Sequence, residues 1–266
     1  MKPKCIFIIS LVCFQISLQA EGQNAFVPKK GTISFITQTN IYNQEEYDTS
    51  IAEFRDSFIQ NLKENIKREY KEKGLAVNEE SLNSLIEMQS QLFEPLFIEQ
   101  VYSTNKSYNY KFQDSLIISY EEIDNKISGD YTIIYRESSQ YNMLSKIDST
   151  TFYLEKQSYP YRSENEIVNF MEEKTNRKTI GGYDCFKVIL KVKEEMTEMD
   201  IEFQQIFQGS FKILEMYVTE DIKCSYHPII KFSNVLEKYY PLEIIETDNL
   251  VKGINVNYQL IEMKLE

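Results

Sequence analysis

The chain has 266 residues, a formal net charge of -12 at pH 7 and a single histidine. So acidic a surface repels phosphate backbones and anionic headgroups, which excludes nucleic acid and acidic membranes as main partners. One histidine also excludes paired-histidine zinc motifs and leaves a single imidazole base for any serine or cysteine nucleophile.

Met1-Lys2-Pro3-Lys4 is a basic start to an apolar run over 5–18, closed by Gln19-Ala20. That run is shorter than the roughly 18 to 20 residues that span a bilayer, and Ala20 is a small residue suited to cleavage. Residues 1–20 therefore read as a secretory signal peptide. A lipoprotein reading on Cys13 would need a small residue before it, where Val12 stands. The mature chain, 21–266, is expected to be one exported domain, periplasmic or associated with the outer membrane, without a transmembrane segment. Cys5 and Cys13 leave with the signal, so Cys185 and Cys224 remain in a disulfide-permissive compartment. A bridge between them would stabilise by ~4 kcal/mol in the chain-entropy model, and two independent buried thiols are the alternative.

Residues 31–42 alternate Ile33, Phe35 and Ile41 with Ser34, Gln38 and Asn40, a strand with one wet face. The period then changes. Ile51, Phe54, Phe58, Leu62, Ile66 and Tyr70 form one helical stripe, with Asp48 as N-cap and Gly74 as stop. Asn78 caps a second helix carrying Leu82, Leu85, Met88 and Leu92, ended before Pro95. This helical pair at 48–92 interrupts a β-rich chain, and its stripes suit a lid on a sheet or a surface for a partner helix. Short Tyr- and Ile-rich runs at 96–102, 108–112, 116–120, 131–135 and 151–154 follow, separated by Asn105, Asp114, Asp124-Asn125 and Ser128-Gly129-Asp130. They predict an antiparallel meander. Ile167, Phe170 and Met171 fit a short helix at 164–174.

The last third opens on Ile180-Gly181-Gly182-Tyr183-Asp184-Cys185, a glycine pair handing the chain into a strand whose Phe186, Val188, Leu190 and Val192 share a face. Leu214, Met216 and Val218 share a face of the next strand. Pairing these faces requires partners of even number sum, so Cys185 and Cys224 oppose each other only across a bulge, for which Thr219-Glu220-Asp221 is a natural place. Ile180, Gly181, Gly182, Tyr183 and Cys185, the strand around Tyr217, and Pro241-Leu242 with the strand that follows resemble the GLPGLI family of exported Bacteroidetes proteins. In place of the family's signature stands Lys238-Tyr239-Tyr240-Pro241-Leu242-Glu243-Ile244, which keeps the proline and the apolar run and lacks both glycines. The resemblance implies an open antiparallel β half-barrel similar to the LolA-type lipoprotein carriers, with helices over its concave side. It brings no catalytic residues.

Cys224-Ser225-Tyr226-His227, with Cys185, is the one arrangement that could bind a metal or pair a thiol with an imidazole; a disulfide and a His-Pro turn explain it more simply. Acidic neighbours such as Glu194-Glu195, Asp200 with Glu202, and Glu172-Glu173 point to opposite faces of a strand and read as solvated surface. No catalytic residue, metal or cofactor is assigned. The 19 Tyr and 16 Phe are the remaining signal. Phe54, Phe58, Tyr108, Tyr110, Phe112, Tyr131 and Tyr135 would line a groove for an apolar ligand, or else pack across strands. The sequence thus reads as a non-enzymatic cell-envelope module binding an apolar small molecule or a partner chain. An assembly partner that pairs through its sheet edge is the alternative, and a hydrolase dependent on His227 the second.

Overall fold

The structure, a computed structural model, describes residues 25–76, 78–91, 102, 105–147, 150–153, 155–194 and 209–266. The signal-peptide reading, the strand at 96–101 and the acids Glu195, Asp200 and Glu202 lie outside the described residues. In chain order the elements are β1 (Lys30–Ile41), α1 (Gln44–Glu72), α2 (Glu79–Gln91), β2 (Lys106–Gln113), β3 (Leu116–Ile123), β4 (Lys126–Tyr135), β5 (Gln140–Ile147), β6 (Thr150–Tyr153), β7 (Gln157–Ser158), β8 (Ile167–Ile180), β9 (Tyr183–Lys193), β10 (Phe211–Thr219), α3 (Ser233–Leu236), β11 (Tyr240–Asp248) and β12 (Ile254–Leu265).

The strands make one 12-stranded sheet in the order β6-β5-β4-β3-β2-β1-β12-β11-β10-β9-β8, with β7 on β5. β6 and β8 are its edges and are not paired with each other, so the expected mainly β, open antiparallel half-barrel with an inserted helical pair is what forms. Its centre is the β1–β12 pair, which brings the two ends of the described chain together. The connections are tight where the sequence marked turns: Asp124 and Asn125 both take positive φ, the mirror-type geometry that matches strand twist. Ser128-Gly129-Asp130 is no turn; it lies inside β4, where the register with β3 shifts.

Directly opposed residues of antiparallel strands share a face. One row of the inner face runs Val188, Met216, Ile244, Tyr258, Thr37 across five strands. The even-sum pairing expected for β9 and β10 is present as Leu190 opposite Leu214. This face is not covered by α1 and α2. The chain covers it with its own segment 222–239: Ile230, Phe232, Val235, Leu236 and Tyr239 pack on Val188, Leu190 and Met216, while Ile222, Cys224 and Tyr226 join Ile33, Phe35 and Tyr110. The helices sit at one end, where Phe54 and Phe58 bury against Val251 and Ile254. They cannot reach further inward because α1 is tied to the β11–β12 connection: Tyr42 and Asn43 donate their backbone N–H to Gly253 O, and Ser50 Oγ accepts from Lys252 N.

Two local expectations are corrected. Asn43, not Asp48, caps α1, because its side chain accepts from Glu46 N and lets the helix start five residues earlier. Residues 164–174 are not a helix. A capping box at Ser163 and Glu166 stops after one 3-10 turn, and the chain then pairs with β9, whose backbone would otherwise be unpaired. β8 is a free edge, and its register with β9 shifts after Ile167 and again between Glu173 and Arg177. Such irregularities blunt an edge against strand addition.

Candidate functional site

The segment leaving β10 pairs Ile222 with Phe26 in a short parallel bridge and then turns back over the inner face. His227 is fully buried there, between the rings of Phe35 and Tyr240 at 5.0 and 5.1 Å. Its Nδ1 accepts from Ile229 N (3.1 Å) and Ile230 N (3.0 Å), which requires that nitrogen to be unprotonated. Nε2 therefore carries the hydrogen and donates to Pro241 O at 3.1 Å. Burial lowers the imidazole pKa to about 3. The one histidine is thus a fastening of the covering segment, with its basic nitrogen already occupied.

Lys231 follows four residues later. Its ammonium donates to Tyr159 Oη (2.6 Å), His227 O (3.1 Å) and Tyr110 Oη (3.2 Å), and the two phenols bond each other at 3.0 Å. All three acceptors are neutral, so the hydrogen bonds are satisfied without a carboxylate in contact, and Glu121 favours the charge only from further off. Burial brings the pKa down to about 8. Beside it lies a chamber of about 240 Å³ under the covering segment. Leu214, Pro228, Ile229, Ile230 and Phe232 give it apolar walls, with Tyr108 and Tyr258 at the sheet side. Three cations line it. Arg162 is paired with Glu166, and Lys212 with Glu194 (2.9 Å) and Glu246 (2.7 Å). Burial opposes the charge on Lys212, but the two carboxylates outweigh it and raise its pKa. Among the described residues Lys231 has no carboxylate partner.

Cys185 and Cys224 are free thiols, both buried, so the expected bridge is not formed in the structure. Each is engaged separately: Cys185 Sγ bonds Tyr183 O at 3.6 Å, and Cys224 Sγ bonds Tyr226 O at 3.2 Å. No bulge between β9 and β10 brings them opposite, since the register shift lies on the other side of β10, between Tyr217 and Val218 against β11. Burial raises both thiols to about 11, the inert rather than the nucleophilic direction. Thiol titration of residues 21–266 should find two reactive groups in denaturant and none in the folded protein; none in either state would mean that the bridge forms.

The residues of the proposed ligand groove are dispersed. Tyr108 lines the chamber, Tyr110 and Phe112 are buried core, and Phe54 and Phe58 belong to the separate α1 cluster. Tyr131 and Tyr135 alternate with the inward Ile134 and lie on the outer face, Tyr131 beside Tyr120 and Tyr135 beneath the Lys156 ammonium. The residues of the glycine, cysteine and proline motif form a scaffold. Ile180 to Tyr183 make the β8–β9 turn, where a Cβ on Gly181 would meet Met263 Cε at 2.9 Å. Tyr217 lies under the Lys178 ammonium, Pro241 holds His227, and Leu242 is fully buried.

No protein-family model matches the chain, so the GLPGLI resemblance stands on those residues alone. No curated protein matches it either. Two solved structures are similar in part. LprF from Mycobacterium bovis is 10% identical with a TM-score of 0.28, over 61% of this chain and 80% of that one. Lipoprotein LppX from Mycobacterium tuberculosis is 7% identical with a TM-score of 0.24, over 57% and 80%. Likenesses that low carry no argument about this chain, and its site is argued from its own geometry.

The sequence reading did not single out Lys231, Tyr159, Arg162, Lys212 or Glu246. A signal existed for the first: Lys231 is the lone charge in the apolar run Pro228-Ile229-Ile230-Lys231-Phe232. The others come from separate elements and carry no local pattern.

Proposed function

We propose that the protein is an exported, non-enzymatic binding module of the cell envelope whose inner chamber takes a small apolar molecule with an acidic group. Export rests on the reading of residues 1–20. The observation that carries the ligand class is the charge on Lys231, which alone among the cations lining the chamber has no carboxylate partner among the described residues. An acid entering between the apolar walls would balance it. The chamber, about 240 Å³, is below the ~300–1,000 Å³ of drug-sized pockets, so the ligand is small or enters by one end. The non-enzymatic reading is supported by His227, whose basic nitrogen holds two backbone N–H groups, and by thiols shifted away from reactivity.

Calorimetry with octanoate and octanol tests this. Octanoate should bind and octanol should bind far more weakly. Lys231→Met, which keeps the stem and removes the charge, should weaken octanoate by about 10- to 100-fold, the worth of one charge-assisted contact. Equal binding of acid and alcohol, or an unaffected Lys231→Met protein, would refute it.

A further inference from the structure

We infer that the outer face of the sheet carries a separate binding site, a hollow over β12, β1, β2 and β3 that takes a neutral saccharide. The register sets Glu262, Ser34, Asn109 and Tyr120 in one cross-strand row, with Ser107 beside Glu122 in an adjacent one. Opposed residues share a face, and this row alternates with inward Ile33, Phe35 and Tyr110, so it points away from the chamber. Small side chains leave a hollow of about 260 Å³ there. Two bulges bracket it: Ile261 is the extra residue of β12 between the partners of Ser34 and Phe35, and β3 and β4 slip between Ser119 and Glu121. Bulges re-aim side chains and are over-represented beside sites.

The hollow is lined by polar groups, three of them on buried residues and several only partly paired. Ser34 is 6% exposed and Asn109 7%, although both lie on the face opposite the core. The Ser34 and Thr32 hydroxyls make no side-chain hydrogen bond among the described residues and are not among the fully buried unpaired atoms, so they are open to the hollow. Asn109 gives one amide hydrogen to Ser107 Oγ at 3.1 Å, and its carbonyl oxygen, which makes no side-chain hydrogen bond among the described residues, is open to the hollow. Hydroxyls, an amide and carboxylates along a row offer alternating donors and acceptors, which suits a polyol. The Tyr120 ring at the row's end offers a flat apolar surface for the C–H face of a sugar ring. No lysine or arginine lines the hollow, so an anion is disfavoured. A metal ion is disfavoured too, because Glu262 is already paired with Lys264 and Glu122 accepts from Ser107.

Saturation-transfer NMR on the full chain tests this with glucose, galactose, mannose, N-acetylglucosamine and cellobiose. At least one should receive saturation. Tyr120→Ala and Asn109→Leu should each weaken that binding by about tenfold or more. Thr32→Val, a milder change at the rim, provides a further reading if Asn109→Leu unfolds, and should weaken binding by a smaller factor. No transfer to any of these sugars, or equal transfer in wild type and Tyr120→Ala, would overturn the inference. Because the site is separate from the chamber, failure of octanoate binding would leave it standing.

Discussion

Replacing His227 by asparagine should flatten the acid limb of the stability curve. The unfolded chain takes up a proton at the ordinary histidine value of 6.5, whereas the buried ring does so only near 3. Between those values the unfolded state binds more protons, so stability rises with pH in that window. It is fully present above 6.5 and is lost as pH falls toward 3, at a limiting ~1.4 kcal/mol per pH unit. Urea unfolding at about pH 7, 6 and 5 should therefore show a falling wild-type stability before most carboxylates titrate. Asparagine removes the titration and places an oxygen where Nδ1 accepts from Ile229 and Ile230. His227→Ala leaves those donors and Pro241 O unpaired, and should cost about 3–5 kcal/mol at neutral pH, more than His227→Asn. A wild-type curve flat from pH 7 to 5, or equal costs for the two variants, would contradict the fastening role.

Gly253→Ala should detach α1 from the sheet. Gly253 has a φ of +74°, and a Cβ there would lie 2.3 Å from Asn43 O and 2.7 Å from Tyr47 N, both backbone atoms that cannot swing aside. The strained φ and the overlap act together, and the helix start must move. That breaks the bonds from Tyr42 and Asn43 to Gly253 O and opens the Phe54, Phe58, Val251 and Ile254 cluster. A loss of about 3 kcal/mol or more is expected. Hydrogen exchange should rise first in residues 44–72 and little in β9 and β10. Uniform loosening of the whole sheet would mean that α1 is part of the central core and not an end cap.

The faces of β1, β9 and β10 were legible because each buries one side, and burial writes alternation into the sequence. β8 was not, since it is an edge strand with both sides largely wet, and Ile167, Phe170 and Met171 then mimic a helical spacing. The apolar stripe of Phe54 and Phe58 was legible, but periodicity says which side is apolar and not what it meets, here Val251 and Ile254 and not a ligand groove or the inner face. That depends on Gly253, about 200 residues away in sequence. The chamber was illegible for the same reason: Arg162, Lys212, Lys231 and Glu246 come from separate parts of the chain, and no spacing rule links them. The motif around Gly181 and Pro241 was visible; Gly181 makes the β8–β9 turn against Met263, and Pro241 holds His227 of the covering segment.

The most direct test of the inner chamber is the pH dependence of octanoate affinity in the wild-type protein. With Lys231 brought down to about 8, its charge is present at neutral pH and lost above that value, while the carboxylate of the ligand stays ionised throughout. Affinity should fall by about tenfold or more between about pH 7 and pH 9.5, with octanol unaffected. Octanoate binding that is the same at both pH values would contradict the account.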